Sequence, residues 1–115
     1  MTGTEFMTLR ENEDVKIVDV KADLSSYAAS DLRKVLENLL NQKVDKVVVN
    51  FSEVNHINST VVGTLVGIAK RLRQNDGDLK LCNLASTLTR TFNLIGASSV
   101  VEIYESEKSA IAAFQ

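Results

Sequence analysis

Two hydroxyl residues, Ser59 and Thr60, stand side by side where one kind of sequence gives way to another. Before them lies the β-branched run Val47-Val48-Val49-Asn50-Phe51. After them comes an apolar segment with helical spacing, within Ile57-Asn58-Ser59-Thr60-Val61-Val62-Gly63-Thr64-Leu65-Val66. This order puts the pair at the N-terminus of a helix that follows a strand. The first amide N–H groups of a helix lack intrahelical acceptors and carry the positive end of its dipole. Two kinds of chemistry suit a serine there. Its hydroxyl can cap the helix, or it can accept a phosphoryl group, whose charge the same field would hold.

Other reactive side chains are few. His56 is the only histidine and precedes Ser59 by three residues. A Ser-His nucleophile also needs an orienting carboxylate at set geometry, which neighbours on one loop do not supply. His56 therefore reads as a solvated loop residue, and no catalytic residue is assigned. One histidine and one cysteine cannot make a metal centre without several converging carboxylates, so neither metal nor cofactor is expected. Cys82 lies in the short apolar run Leu79-Lys80-Leu81-Cys82 and reads as a buried inert thiol. Gly63 and Gly67 sit inside a helical pattern without the Lys-Ser/Thr of a phosphate loop. Each costs about 1 kcal/mol of helix propensity relative to Ala, so close approach of a neighbour, in this chain or in a partner, is the expected compensation. Arg10, Lys16, Lys70, Arg71 and Arg73 read as solvated faces.

The chain of 115 residues suffices for one domain with a single core. Its net charge of −2 argues against a nucleic-acid or membrane-surface binder. Six scattered aromatics (Phe6, Tyr27, Phe51, Phe92, Tyr104 and Phe114) make no stacking platform for single strands. No apolar run reaches the length of a membrane span and no signal-peptide core is evident, so the cytoplasm is the expected compartment. Gly3-Thr4-Glu5-Phe6 is what two common restriction sites would encode. Residues 1–6 thus read as a cloning scar, with the domain over 7–115 and Met7 as natural start.

The elements that must position the Ser59 turn follow from periodicity. Met7–Arg10 and Val15–Val20 read as a β-hairpin around a turn at Glu11-Asn12-Glu13-Asp14. Residues 28–41 form a helix whose Leu32, Val35, Leu36 and Leu39 share a face. Val47–Phe51 reads as a strand covered on both faces. A second helix spans about 60–74, ended by Asn75-Asp76-Gly77-Asp78. Then come a strand at 79–82, a helix at 86–95 with Ser86 as N-cap and Gly96 past its end, and a strand at 100–104. A last helix, capped by Ser106, buries Ala110, Ile111 and Phe114. The order β-β-α-β-α-β-α-β-α implies an α/β fold with a mixed, mostly parallel sheet, an N-terminal hairpin and about four helices.

This order, together with the Asn58-Ser59-Thr60 turn, resembles the STAS domain family, and within it the single-domain bacterial anti-sigma factor antagonists (anti-anti-sigma factors). The resemblance runs from about Met7 to Phe114. In that family a strand leads into a motif of the form Asp-Ser-Ser/Thr-Gly-Leu-Gly, matched here by Asn58-Ser59-Thr60-Val61-Val62-Gly63. Leu88-Thr89-Arg90-Thr91-Phe92-Asn93-Leu94-Ile95-Gly96 and Glu107–Ala110 also look like family segments. The chain departs from the pattern at Asn58, where the motif has Asp, and at Val61, where it has Gly. Val61 narrows the backbone freedom that Gly would allow at the helix start. Ala22-Asp23-Leu24-Ser25 likewise puts Ser25 where the family often has a second acidic residue. Losing two carboxylates lessens repulsion toward a nearby phosphate, and equally removes groups that could orient the hydroxyl for attack.

The resemblance implies a non-enzymatic regulatory module of the partner-switching kind. Its partner would be a GHKL-type serine kinase that is also an anti-sigma factor, and phosphorylation at Ser59, or next at Thr60, would end binding. A serine phosphatase would reset the cycle. The implied contact residues are Ser25, Asn58, Ser59, Thr60, Val61 and Val62. No nucleic-acid contact and no membrane insertion are implied, and a monomer is the simplest expectation. An alternative within the same fold is a phosphorylation-independent STAS subunit of another complex, such as a lipid-transport ABC system. An enzyme would instead show turnover abolished by Ser59→Ala or His56→Ala.

Overall fold

The computed structural model describes residues 3–4, 6–24 and 26–114, with the backbone alone for Gly3, Thr4 and Ser26. Six strands and four helices follow one another among the described residues. They are β1 (Gly3–Thr4), β2 (Met7–Asn12), β3 (Val15–Val20), α1 (Ser26–Asn41), β4 (Lys46–Asn50) and α2 (Ser59–Gln74), then β5 (Asp78–Cys82), α3 (Ser86–Leu94), β6 (Glu102–Tyr104) and α4 (Glu107–Ala112). The strands lie in one sheet in chain order, β1 to β6. β1/β2 and β2/β3 are antiparallel, and β3/β4, β4/β5 and β5/β6 are parallel.

That order dictates where the helices go. Strand-helix-strand crossovers are right-handed almost without exception, so three in succession, all stepping the same way, set α1, α2 and α3 on one face. Their inward residues, among them Leu32, Leu36, Leu65, Leu72 and Phe92, share one apolar cluster with Val18, Val20, Val47, Val49, Leu79 and Leu81. The alternate strand residues point the other way, where Val15, Ile17, Val48 and Cys82 meet Ala110 and Ile111 of α4. Val47–Phe51 is thus covered on both faces, as its unbroken apolar run predicts. At Gly77 a Cβ would run into the Asp45 carbonyl, so the turn before β5 requires glycine. The backbone there closes through Asp78 N–H donating to Asp45 O at 2.9 Å.

Several boundaries differ from the sequence reading. The hairpin turn contracts to Glu13 and Asp14, both at positive φ, because β2 continues through Asn12. Positive φ at both central residues matches the right-handed strand twist. Ser86 is not the cap of α3. Ala85 occupies that position, with no side-chain bond to the helix. The strand expected over 100–104 is shorter, because Gly96 turns the chain in the left-handed region (φ +77°) and a 3-10 turn takes up Ala97–Ser99. Strand β1 lies in the segment read as a cloning scar.

Arg10 is exposed, as expected of a solvated face, but its charge is paired. Its guanidinium donates to Asp19 at 2.5 and 3.0 Å and to Glu107 of α4 at 2.6 and 3.4 Å. The polar chain continues across the sheet. Asn50 Nδ2 donates to Asp19 at 2.8 Å, and Asn83 Nδ2 donates to Asn50 Oδ1 at 3.0 Å. Asp19 is buried. The Arg10 guanidinium holds its carboxyl below the ordinary value against the opposing effect of burial, with help from the Asn50 amide. Nearby Lys80, also buried, pairs with Glu102 at 2.5 Å and lies over the Phe114 ring at 4.8 Å. Cys82 is inaccessible, and burial pushes its thiol up to about 12.

Candidate functional site

The Ser59 turn lies where parallel strands hand over to helices, the end of an α/β sheet at which loops gather into sites. Two loops meet there. Asp23, just after β3, accepts hydrogen bonds from the backbone N–H groups of Asn55 (2.6 Å) and His56 (3.2 Å). Leu24 N–H donates back to His56 O at 3.1 Å. These bonds, from Asn55 first and then His56, lower the Asp23 carboxyl from its ordinary value. The β3–α1 loop therefore braces the β4–α2 loop from behind. Val54, fully buried, anchors the latter to the core.

The helix start itself corrects the sequence reading. The N-cap is Asn58, not Ser59: its Oδ1 accepts from Val61 N–H at 2.9 Å, with extended backbone at φ −116° and ψ 172°. Asn58 O also receives the Val61 and Val62 amides. Ser59 is consequently the first helical residue and Thr60 the second, and both are exposed. Among the described residues, neither hydroxyl has a hydrogen-bond partner. Asn and Ser are equally good caps, so adjacent residues of these types leave the register of the start open in sequence.

Val61 and Val62 face inward. At 1% and 5% exposure they belong to the main core, while Asn58, Ser59 and Thr60 are exposed. Ser25 lies outside the described residues. His56 is exposed, and no hydrogen bond joins it to Ser59 among the described residues. No group of three or more His, Cys, Asp or Glu side chains among them is arranged to hold a metal ion.

Along the same helix, Gly63 and Gly67 have, among the described residues, no neighbour within 4 Å of where a Cβ would stand. Close packing among the described residues therefore does not account for them. Ser59, Gly63 and Gly67, at i, i+4 and i+8, instead form a bare stripe along α2. Beside it, between α1 and α2, runs a groove of about 260 Å³ that includes Asn58 and Thr60.

A model of the STAS domain matches residues 6–110. The chain belongs to the STAS domain family. The anti-sigma-B factor antagonist of Bacillus subtilis (strain 168) is 30% identical to it over 95 residues, 83% of this chain and 86% of that one. A crystal structure of a Thermotoga maritima protein superposes with a TM-score of 0.86 at 24% identity, covering 95% of this chain and 94% of the other. The Bacillus cell fate determinant SpoIIAA, in its phosphorylated form, superposes at 0.73 with 19% identity, over 95% and 99% of the two chains. At these identities the two structures establish the fold.

The mixed sheet with its N-terminal hairpin and four helices is thus a STAS fold. Asp23 is the positioning residue of this STAS domain that sequence reasoning missed. Its bonds reach backbone amides 32 and 33 residues away, and no local pattern announces such a contact. No helix among the described residues is long and apolar enough to cross a membrane.

Proposed function

We propose that this STAS domain is a cytoplasmic anti-sigma factor antagonist that binds an anti-sigma factor serine kinase and is switched off by phosphorylation at Ser59. The single observation that carries this reading is the unengaged, exposed hydroxyl of Ser59 on the first turn of α2. The helix does not need it, because Asn58 makes the cap. In the proposed cycle the unmodified domain binds the kinase and frees the sigma factor. The kinase then moves the γ-phosphoryl group of ATP to Ser59 Oγ, with ADP leaving and the hydroxyl proton passing to base. A phosphatase hydrolyses the ester and restores binding.

The physical basis of the switch is local. The phosphate adds about −1.5 to −2 charges at neutral pH. Beside it lies the bare Gly63–Gly67 stripe, where a partner's backbone can approach closely. A doubly charged group at the edge of such a contact must be desolvated or repelled, and either raises the dissociation rate. The name of the 30%-identical Bacillus subtilis relative supports the same class of partner.

The test is capture from a host lysate with wild-type, Ser59→Ala and Ser59→Asp baits. A serine kinase retained by the first two and lost at least about 100-fold with Asp, a change of about 2.7 kcal/mol, supports switching at Ser59. That kinase should also phosphorylate the wild type at Ser59. A transport ATPase, or another partner held equally by all three baits, would instead identify a constitutive STAS subunit.

A further inference from the structure

The two hydroxyls of the turn occupy different surroundings. Thr60 and Thr64, one turn apart on α2, line the α1–α2 groove with Asn58 and with Ala29, Ser30 and Arg33 of α1. Ser59 is not part of that lining. It shares the neighbouring stripe with Gly63, over which there is open space. Among the described residues, Arg33 is the only charged residue lining the groove, and no carboxylate lines it. Among the described residues Arg33 makes neither an ion pair nor a hydrogen bond. One turn further along α1, Glu37 faces Arg71 of α2 at 3.8 Å. The helix pair is therefore matched in charge at that level and carries an unmatched cation at the level of Thr60. The groove also offers the Ser30 and Thr64 hydroxyls as donors, and a guanidinium takes two phosphate oxygens at once.

We propose that Arg33 is an internal counter-charge for a phosphate on Thr60, so that a phosphate there is drawn in against α1 while one on Ser59 stays in solvent. This rests on the reading of the turn as a phosphoacceptor, and names a second position within it that the protein reads differently. The transfer forms a bond from Thr60 Oγ1 to the γ-phosphorus of ATP as the bond to the ADP oxygen breaks, and the hydroxyl proton goes to base. A phosphate so paired presents less uncompensated charge to a partner than one at Ser59. The two modifications then differ in strength rather than duplicate each other.

Phosphate ionisation tests this without any kinase. Phosphoserine is placed at position 59 or at position 60 by genetic-code expansion, each in the wild-type and the Arg33→Gln background. The second ionisation, ordinarily near pH 6, is followed by phosphorus NMR. With phosphate at 60, Arg33 should lower the midpoint by about 0.5 or more relative to Arg33→Gln. With phosphate at 59, the two backgrounds should agree within about 0.2. Equal midpoints at 60, or the same difference at 59 as at 60, would overturn the proposal. Arg33 is exposed, so its replacement leaves the fold intact. Kinase capture is a separate readout, so failure here leaves switching at Ser59 standing, and failure there leaves this titration interpretable.

Discussion

The starts of α2 and α4 both offer hydroxyls to a helix N-terminus, and they use them in opposite ways. At α4 every hydroxyl is engaged. Ser106 Oγ accepts from Ser109 N–H at 3.1 Å, and Ser106 N–H donates back to Ser109 Oγ at 3.3 Å, closing a capping box, while the Ser109 hydroxyl donates to Ser106 O at 3.0 Å. Glu107, on the first turn, complements the dipole and is held in turn by Arg10. At α2 a single asparagine makes the cap, no acidic residue enters the first turn, and Ser59 and Thr60 face outward unengaged. The first arrangement fastens a short helix to a sheet. The second leaves an electropositive helix end carrying acceptor hydroxyls in solvent. A serine at a helix start thus says little about function until the atom that makes the cap is known.

The comparison can be broken from its most strongly held side first. Asp19→Asn removes the anion that orients Arg10 and, through it, Glu107. It should cost about 1–3 kcal/mol in urea unfolding at pH 7. The pH dependence has a definite sign. Asp19 titrates lower in the folded protein than in the unfolded one, so its contribution is present above about pH 4 and lost as pH falls further. The deficit of the variant should therefore shrink as pH falls below about 4. A deficit that stays constant as pH falls below about 4 would show that the ion pair is not its source.

Cap replacements come next. Asn58→Ala and Ser106→Ala should each cost about 1 kcal/mol, as each removes the side chain that satisfies an orphan amide. Gly63→Ala should act in the other direction. With open space at the Cβ position, it should stabilise the free domain by about 0.5–1 kcal/mol while weakening capture of a partner seated on the α2 stripe. The smallest effect is expected at the most informative residue. Ser59→Ala should change stability by less than about 0.5 kcal/mol. A loss matching that of Asn58→Ala would mean that Ser59 serves the helix after all, and the contrast between the two starts would dissolve.

Much of this architecture was legible in the sequence because its signals are local. The β-branched run at Val47–Phe51, the helical spacing of Leu32, Val35, Leu36 and Leu39, and the turn at Asn75-Asp76-Gly77-Asp78 each specify their element through neighbours a few residues away. So does Ser106, three residues before Ser109. What escaped was contact between distant segments. Nothing near Arg10 announces Asp19 or Glu107, which join it only once the sheet and α4 are in place. Asp23 bonds to amides in another loop, and Gly63 is explained by what is absent above it. At Asn58-Ser59 the failure was of another kind. Both residue types cap helices, so a shift of one residue in the helix start, too small for periodicity to resolve, decides which hydroxyl is left over.

The sheet order, identical to the chain order, also bears on how the molecule assembles. Each strand after the first pairs with the strand immediately before it, so loop-closure entropy stays low at every addition, and the sheet can grow in step with synthesis. The Arg10–Glu107 contact is the exception, spanning 97 residues and tying the last helix to the first hairpin. On a ribosome it must wait until α4 has emerged. It then acts as a clasp on a structure already built, and the face of β3, β4 and β5 that α4 covers stays exposed until the clasp closes.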